Sequence, residues 1–156
     1  NMSIQRRTIL KGALASSAVG VAVGAGLLAP QQVLAAWSKE AFEAKAVGDA
    51  LKALGLAGAA ASADVTVKAP DIAENGAVVP VTVESTMKDV QSISIVAEKS
   101  ALPLIASFDL GAGALPYVST RIKMGSTMNV QALVKAGGKV YEAKKEVKVT
   151  IGGCGG

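Results

Sequence analysis

From Asp64 onward the side chains alternate between apolar and polar with a period of two, in seven short bursts. The runs are VTVK, AVVPVTVES, VQSISIVAE, LPLIASFDL, PYVSTRIKM, TMNVQALVK and KVYEAKKEVKVTI. In an extended chain successive side chains point to opposite faces, so each run reads as a strand with one buried and one wet face. Turn signals separate the runs: Pro70-Asp71, Glu74-Asn75-Gly76, Lys88-Asp89, Gly111-Ala112-Gly113, Gly125-Ser126 and Gly137-Gly138. The last pair joins two long alternating runs and predicts a tight hairpin. Seven short strands at this spacing predict an all-β fold, an immunoglobulin-like antiparallel β-sandwich. Antibody domains are stapled by a cysteine pair, and this chain has one cysteine.

The alternation also names the buried faces. Ile93 and Ile95 share one face, Ser92 and Ser94 the other; Val118, Ile122 and Met124 oppose Arg121 and Lys123. In the last run Val147, Val149 and Ile151 oppose Glu146, Lys148 and Thr150, which makes Ile151 the last expected apolar anchor. Pro80 inside AVVPVTVES predicts an edge strand or a bulge, because proline cannot donate to a ladder. Ahead of the strands, WSKEAFEAKAVGDALKALG places Ala44, Val47, Leu51 and Leu54 at helical spacing, with Lys and Glu opposite. Ser38 as N-cap and Gly55 as stop frame one N-terminal helix, and LAGAAASA reads as a small-residue linker. Trp37 and Phe42 belong either against the sandwich or against a partner.

The chain opens with a different kind of segment. Arg6 and Arg7 precede Thr8, Ile9, Leu10 and Lys11, and an uncharged Ala/Gly-rich run continues to about Leu28. A basic start, a weakly apolar stretch and small residues at Val33 and Ala35 make a signal peptide with cleavage after Ala35. The paired arginines point to twin-arginine export and a periplasmic destination. Gln5 and Ile9 depart from the usual residues of that consensus. The competing reading is an uncleaved membrane anchor, for which so many Gly and Ala residues make a poor spanning helix. The predicted organisation is a leader at 1–35, a helix-plus-sandwich domain at 36–151 and a terminal arm at 152–156.

Removing the leader removes the positive charge. Taking Arg6, Arg7 and Lys11 from 16 basic residues leaves 13 against 12 acidic ones, so the balance gives no case for nucleic acid. The chain has no histidine, the commonest general base and metal ligand. One cysteine supports neither a thiolate metal cluster nor an internal disulfide. The composition argues for a non-catalytic protein with no cofactor of its own.

That cysteine, Cys154, stands in the terminal stretch Gly152-Gly153-Cys154-Gly155-Gly156. Glycine loses more conformational freedom on ordering than any other residue, and this stretch has no apolar surface to offset the loss. The expectation is a mobile arm that lets Cys154 stand about 10 Å beyond Ile151. A free thiol titrates near pH 8.5, and no histidine or helix N-terminus is at hand to lower that value. The nearest basic side chain in sequence is Lys148. Cys154 therefore reads as an attachment point whose reactivity another protein supplies.

A twin-arginine leader, a sandwich domain of about 120 residues and a terminal GGCGG together resemble the SoxY family, sulfur carriers of the periplasmic Sox thiosulfate-oxidation system. The resemblance implies that Cys154 is the site of covalent substrate attachment and that Gly152, Gly153, Gly155 and Gly156 form its swinging arm. It implies a heterodimer with a second sandwich subunit, SoxZ. A c-type haem enzyme, SoxXA, would join thiosulfate oxidatively to the cysteine as an S-thiosulfonate. A two-metal hydrolase, SoxB, would release the terminal sulfone as sulfate, and SoxCD would oxidise the remaining sulfane sulfur. Two other classes compete. One is an exported structural sandwich dimerising through a disulfide at Cys154. The other is a ubiquitin-like carrier activated on its terminal carboxylate, which requires cytoplasmic adenylation and conflicts with an export signal. A prenyl anchor is disfavoured, because only two residues follow the cysteine.

Overall fold

The computed structural model describes residues 37–151. All seven alternating runs form strands: β2 (Val65–Lys68), β4 (Val79–Ser85), β5 (Val90–Ala97), β6 (Leu104–Asp109), β7 (Tyr117–Ile122), β8 (Met128–Ala136) and β9 (Lys139–Val149). Two strands of two residues, β1 (Ala60–Ala61) and β3 (Ile72–Ala73), are too short for periodicity to show. The larger sheet has the order β1-β9-β8-β5-β6, with β3 also on β9; the smaller has the order β2-β4-β7. The long strands pair antiparallel, while β1 and β3 each add to β9 in parallel. The fold is an all-β sandwich behind a short helical segment.

The inner faces carry the expected residues. Ile93, Ile95, Val79, Val81, Val83, Val130, Val134, Val147 and Met124 are fully buried between the sheets. The hairpin from β8 to β9 closes through Gly137 and Gly138, with Ala136 opposite Lys139. Both glycines have positive φ, 55° and 76°, as a two-residue turn matched to strand twist requires. Pro80 departs from expectation. It lies in β4, the middle strand of the smaller sheet. There it pairs with Arg121 of β7, whereas β2 ends at the Lys68–Thr82 pair. At Pro80 the strand is flanked on one side only, so a missing N–H is tolerated.

The helical segment is two helices rather than one: α1 (Lys39–Glu43) and α2 (Val47–Ala53). Ala44 and Ala46 between them are extended. Helical geometry turns about 100° per residue, so an unbroken helix would put Ala41 and Ala50 about 180° apart. Both are fully buried in one cluster with Leu56, Val96, Leu104 and Leu133, and the break permits this. Ser38 caps α1, its hydroxyl accepting from the Ala41 N–H at 3.4 Å. After α2, Gly55 takes φ 68°. Its N–H donates to the Lys52 carbonyl at 3.0 Å and that of Leu56 to Leu51 at 2.7 Å, the paired bonds of a glycine-ended helix. The expected linker is therefore part of the packing: Leu56 is buried, Ala59 is packed and Ala60–Ala61 is β1.

Helices this short do not persist alone in water. They form because they cover the outer face of the larger sheet, with Phe42 partly buried against the same cluster. Strand β8 is consequently buried on both faces over Val130–Val134. Its polar exception, Gln131, donates a short hydrogen bond to Glu142 of β9. Ser94 on β5 is also fully buried, and its hydroxyl meets that of Ser107 at 2.9 Å.

Candidate functional site

Arg6, Arg7, Gly152, Gly153, Cys154, Gly155 and Gly156 lie outside the described residues. What the structure defines is the root from which Cys154 departs. Strand β9 is eleven residues long, and its C-terminal end is held from both sides. On one side β3 lies alongside, with Ile72 opposite Lys148 and Ala73 opposite Val149. The Lys148 N–H donates to the Asp71 carbonyl at 3.0 Å and the Thr150 N–H to Ala73 at 3.1 Å. The Thr150 hydroxyl reaches the Glu74 carbonyl at 3.2 Å. On the other side the Val149 N–H donates to Thr127 Oγ1 at 2.9 Å.

The grip extends to the last described residue. The Gly76 N–H donates to the Ile151 carbonyl at 2.8 Å, while the Gly76 carbonyl accepts from Met124 at 2.7 Å. The loop 74–77 holds its shape through Asn75 Oδ1, which accepts from the Ala77 N–H at 2.9 Å. The expectation that the Ile151 side chain anchors the strand is corrected. That side chain is 68 % exposed, and Val147 is the last fully buried one. Hydrogen bonds, joined by Val149 packed against the core, hold residues 148–151. The sequence marks Pro70-Asp71 and Glu74-Asn75-Gly76 only as turns. Ile72–Ala73 between them was missed because two residues show no alternation.

Charge at this end of the sandwich is paired across strands. Lys145 meets Asp71 at 3.0 Å in an exposed pair, the kind that adds little stability. Glu98, just past β5, accepts from Asn129 Nδ2 at 3.0 Å and pairs with Lys144 at 3.1 Å. The Asn129 bond, helped by Lys144 against partial burial, holds the Glu98 carboxyl below its ordinary value of 4.5. A lowered folded-state value contributes stability that is present above the unfolded value and lost as pH falls through the folded one. Glu98→Gln is therefore expected to lower the melting temperature at pH 7. The gap to the parent protein should close as pH drops below about 4.5. Melting curves at pH 7 and pH 3 check this; a gap independent of pH would remove the charge from the explanation.

Two clefts lie elsewhere. One of about 580 Å³, between the loops 87–91 and 110–116, includes Met87, Leu110 and Pro116. Strand register puts it beside the β8–β9 hairpin, at the opposite end from Ile151. The other, of about 380 Å³, lies on the outer face among Leu54, Ser94, Ser107, Asp109 and Lys135. Neither borders the arm root. Among the described residues no group of acidic, histidine or cysteine side chains could hold a metal ion. No helix among them is long and apolar enough to cross a membrane.

The family model described as Sulfur oxidation protein SoxY matches residues 51–154. The chain belongs to the SoxY family. The match ends on Cys154, the residue toward which the held end of β9 leads. A solved SoxY, the sulfur carrier protein of Chlorobium limicola f thiosulfatophilum, is 43 % identical with a TM-score of 0.59. It covers 66 % of this chain, and 96 % of its own length is matched. A superoxide reductase (neelaredoxin) from Ignicoccus hospitalis is 18 % identical with a TM-score of 0.50, covering 55 % of this chain and 79 % of its own. At that identity the likeness concerns the fold alone. No curated protein sequence matches the chain. SoxY membership accounts for a sandwich with one cysteine: the chain has a role in sulfur oxidation as a carrier.

Proposed function

We propose that this protein carries sulfur intermediates covalently on Cys154 during thiosulfate oxidation. The observation that carries the reading is the SoxY match whose last residue is the chain's one cysteine. In the loading step the Cys154 thiol and thiosulfate form an S–S bond, giving the S-thiosulfonate. The thiol proton goes to solvent and two electrons go to a c-type haem enzyme of SoxXA type. In the release step water attacks the terminal sulfone at a SoxB-type two-metal hydrolase. The bond between the sulfone and the sulfane sulfur breaks, sulfate leaves, and the sulfane sulfur stays on Cys154. A SoxCD-type enzyme then oxidises that sulfur. The chain itself supplies attachment and presentation and catalyses none of the steps, in keeping with a sequence that has no histidine. Gly152, Gly153, Gly155 and Gly156 serve as a narrow, yielding arm without side chains to clash in an enzyme channel.

A second sandwich subunit of SoxZ type completes the carrier as a one-to-one heterodimer. Intact mass measurement on protein from a thiosulfate-grown native host tests the reading. Sulfur adducts removable by thiols and located on Cys154 are the expected result. A stable disulfide homodimer without any exchangeable adduct would favour the structural alternative instead.

The site of action is the periplasm, reached by the twin-arginine route on the strength of Arg6-Arg7 before an uncharged run. Replacing both arginines by lysine is expected to leave precursor in the cytoplasm. Fractionation and immunoblotting read this out, and undiminished mature protein in the periplasm would rule the route out.

A further inference from the structure

We infer that the second sandwich subunit joins at the free edge of β6, adding an extended strand to the larger sheet and setting a basic side chain against Asp109; this rests on the heterodimeric carrier reading above. The phase of the β5–β6 ladder decides which main-chain groups are free. The Leu110 N–H donates to the Gln91 carbonyl at 2.8 Å, and Ser92 stands opposite Asp109. In an antiparallel ladder that bond makes Ser92–Asp109 a non-hydrogen-bonded pair, and Ser94–Ser107, two residues along, another. The N–H and C=O groups of Ser107 and Asp109 therefore point out of the sheet, while those of Ala106 and Phe108 face β5. No described strand lies beyond β6 in the order β1-β9-β8-β5-β6.

Sheet edges are ordinarily closed, shortened or charged. The opposite edge of the larger sheet is covered by β1 and β3 along β9. In the smaller sheet β2 has four residues and ends on Lys68, and β7 carries Arg121. Strand β6 (LIASFD) has no basic residue and no proline. Its bulge leaves Ile105 as the extra residue toward the Leu104 end, so 106–109 pairs regularly. The chemistry of this stretch selects the occupant. Asp109 is exposed, and among the described residues it has no ion pair. An added residue hydrogen-bonded opposite it would project from the same face with Cβ atoms about 5.5 Å apart, within reach of a lysine or arginine head. The cleft of about 380 Å³ among Leu54, Ser107 and Asp109 leaves room on that face for a long side chain. A second copy of this chain cannot supply the cation. Two-fold antiparallel pairing of two β6 strands sets Asp109 opposite Ile105, Ser107 or Asp109 of the copy, none of them basic.

The test is amide hydrogen exchange on the parent chain, alone and in complex with the native second subunit of the same host. The Ser107 and Asp109 amides are expected to slow about tenfold or more in the complex. The Ser119 and Arg121 amides should exchange at the same rate in both states. They are the outward groups of β7, since the Ser85 N–H donates to the Pro116 carbonyl beside the Glu84–Tyr117 pair. Asp109→Pro removes one outward N–H, spares the ladder bonds to β5, and is expected to raise Kd for the subunit about tenfold or more. Asp109→Asn keeps that N–H and should raise Kd only about two- to fivefold. The exchange measurement needs no variant, so it decides even where Asp109→Pro folds poorly. Unchanged Ser107 and Asp109 exchange in a formed heterodimer would overturn the edge, as would protection of the β7 amides in their place. An unaltered Kd for well-folded Asp109→Pro would do the same. Protection that grows with the concentration of the chain alone would give the edge to a second copy and overturn the inference likewise. If the parent chain binds no second subunit, the heterodimer reading itself fails, a result separable from all of these.

Discussion

Replacing Cys154 by serine is expected to abolish thiosulfate-dependent sulfate formation while leaving the melting temperature unchanged. A serine hydroxyl cannot form the S–S bond by which the proposed function holds thiosulfate, so no adduct would exist for the later steps to act on. Stability should be indifferent to the change for a local reason. The last fully buried side chain is Val147, and the hydrogen-bonded grip on β9 ends at the Ile151 carbonyl, three residues before the thiol. Sulfate release in a reconstituted system and intact mass of the carrier read the two halves of this prediction. Sulfate formation at parent level by Cys154→Ser would end the carrier assignment.

Leu133→Ala is expected to have the largest effect on stability, a loss of about 2–5 kcal/mol. Leu133 is fully buried on the outer face of β8, where α1 and α2 close over the sheet with Leu56, Val96 and Leu104. Truncation leaves a cavity between two layers whose backbones are fixed by strand pairing on one side and a glycine-ended helix on the other. The site therefore has little freedom to collapse. For a domain of this size the melting temperature should drop by roughly 10 °C or more. Thermal or urea unfolding measures it, and a loss below about 1 kcal/mol would mean that the helical layer adds little to the sheet. Below the shifted transition, iodoacetamide should label Cys154 at the parent rate, because Leu133 is remote from the arm root along β8.

The strands were legible because burial on one face writes itself into the residues at period two. Ile93 and Ile95, Val118 and Ile122, and Val147 each stand where their alternation puts them. The Gly137-Gly138 turn was legible for a backbone reason, since two consecutive positive φ values suit glycine. Ser38 and Gly55 were legible as helix ends because capping is a local transaction of hydrogen bonds. The helix between them was misread as continuous. The break at 44–46 carries no glycine or proline, and only a sheet waiting on one side makes burial of both Ala41 and Ala50 favourable.

The candidate site divides along the same line. That one cysteine sits among four glycines beyond the last strand is written in the covalent chain, and the chemistry proposed for it needs nothing more local. How that cysteine is presented is not written there. The clamp of Ile72–Ala73 on β9 and the Gly76 bonds to Ile151 and Met124 join residues up to about 80 positions apart. Main-chain hydrogen bonds are blind to side-chain identity, so they leave no periodic signal for a reader of the sequence. Local pattern and turn chemistry thus determined the strands, the hairpin and the placement of Cys154. Long-range pairing alone decided how the end of β9 that leads to Cys154 is held.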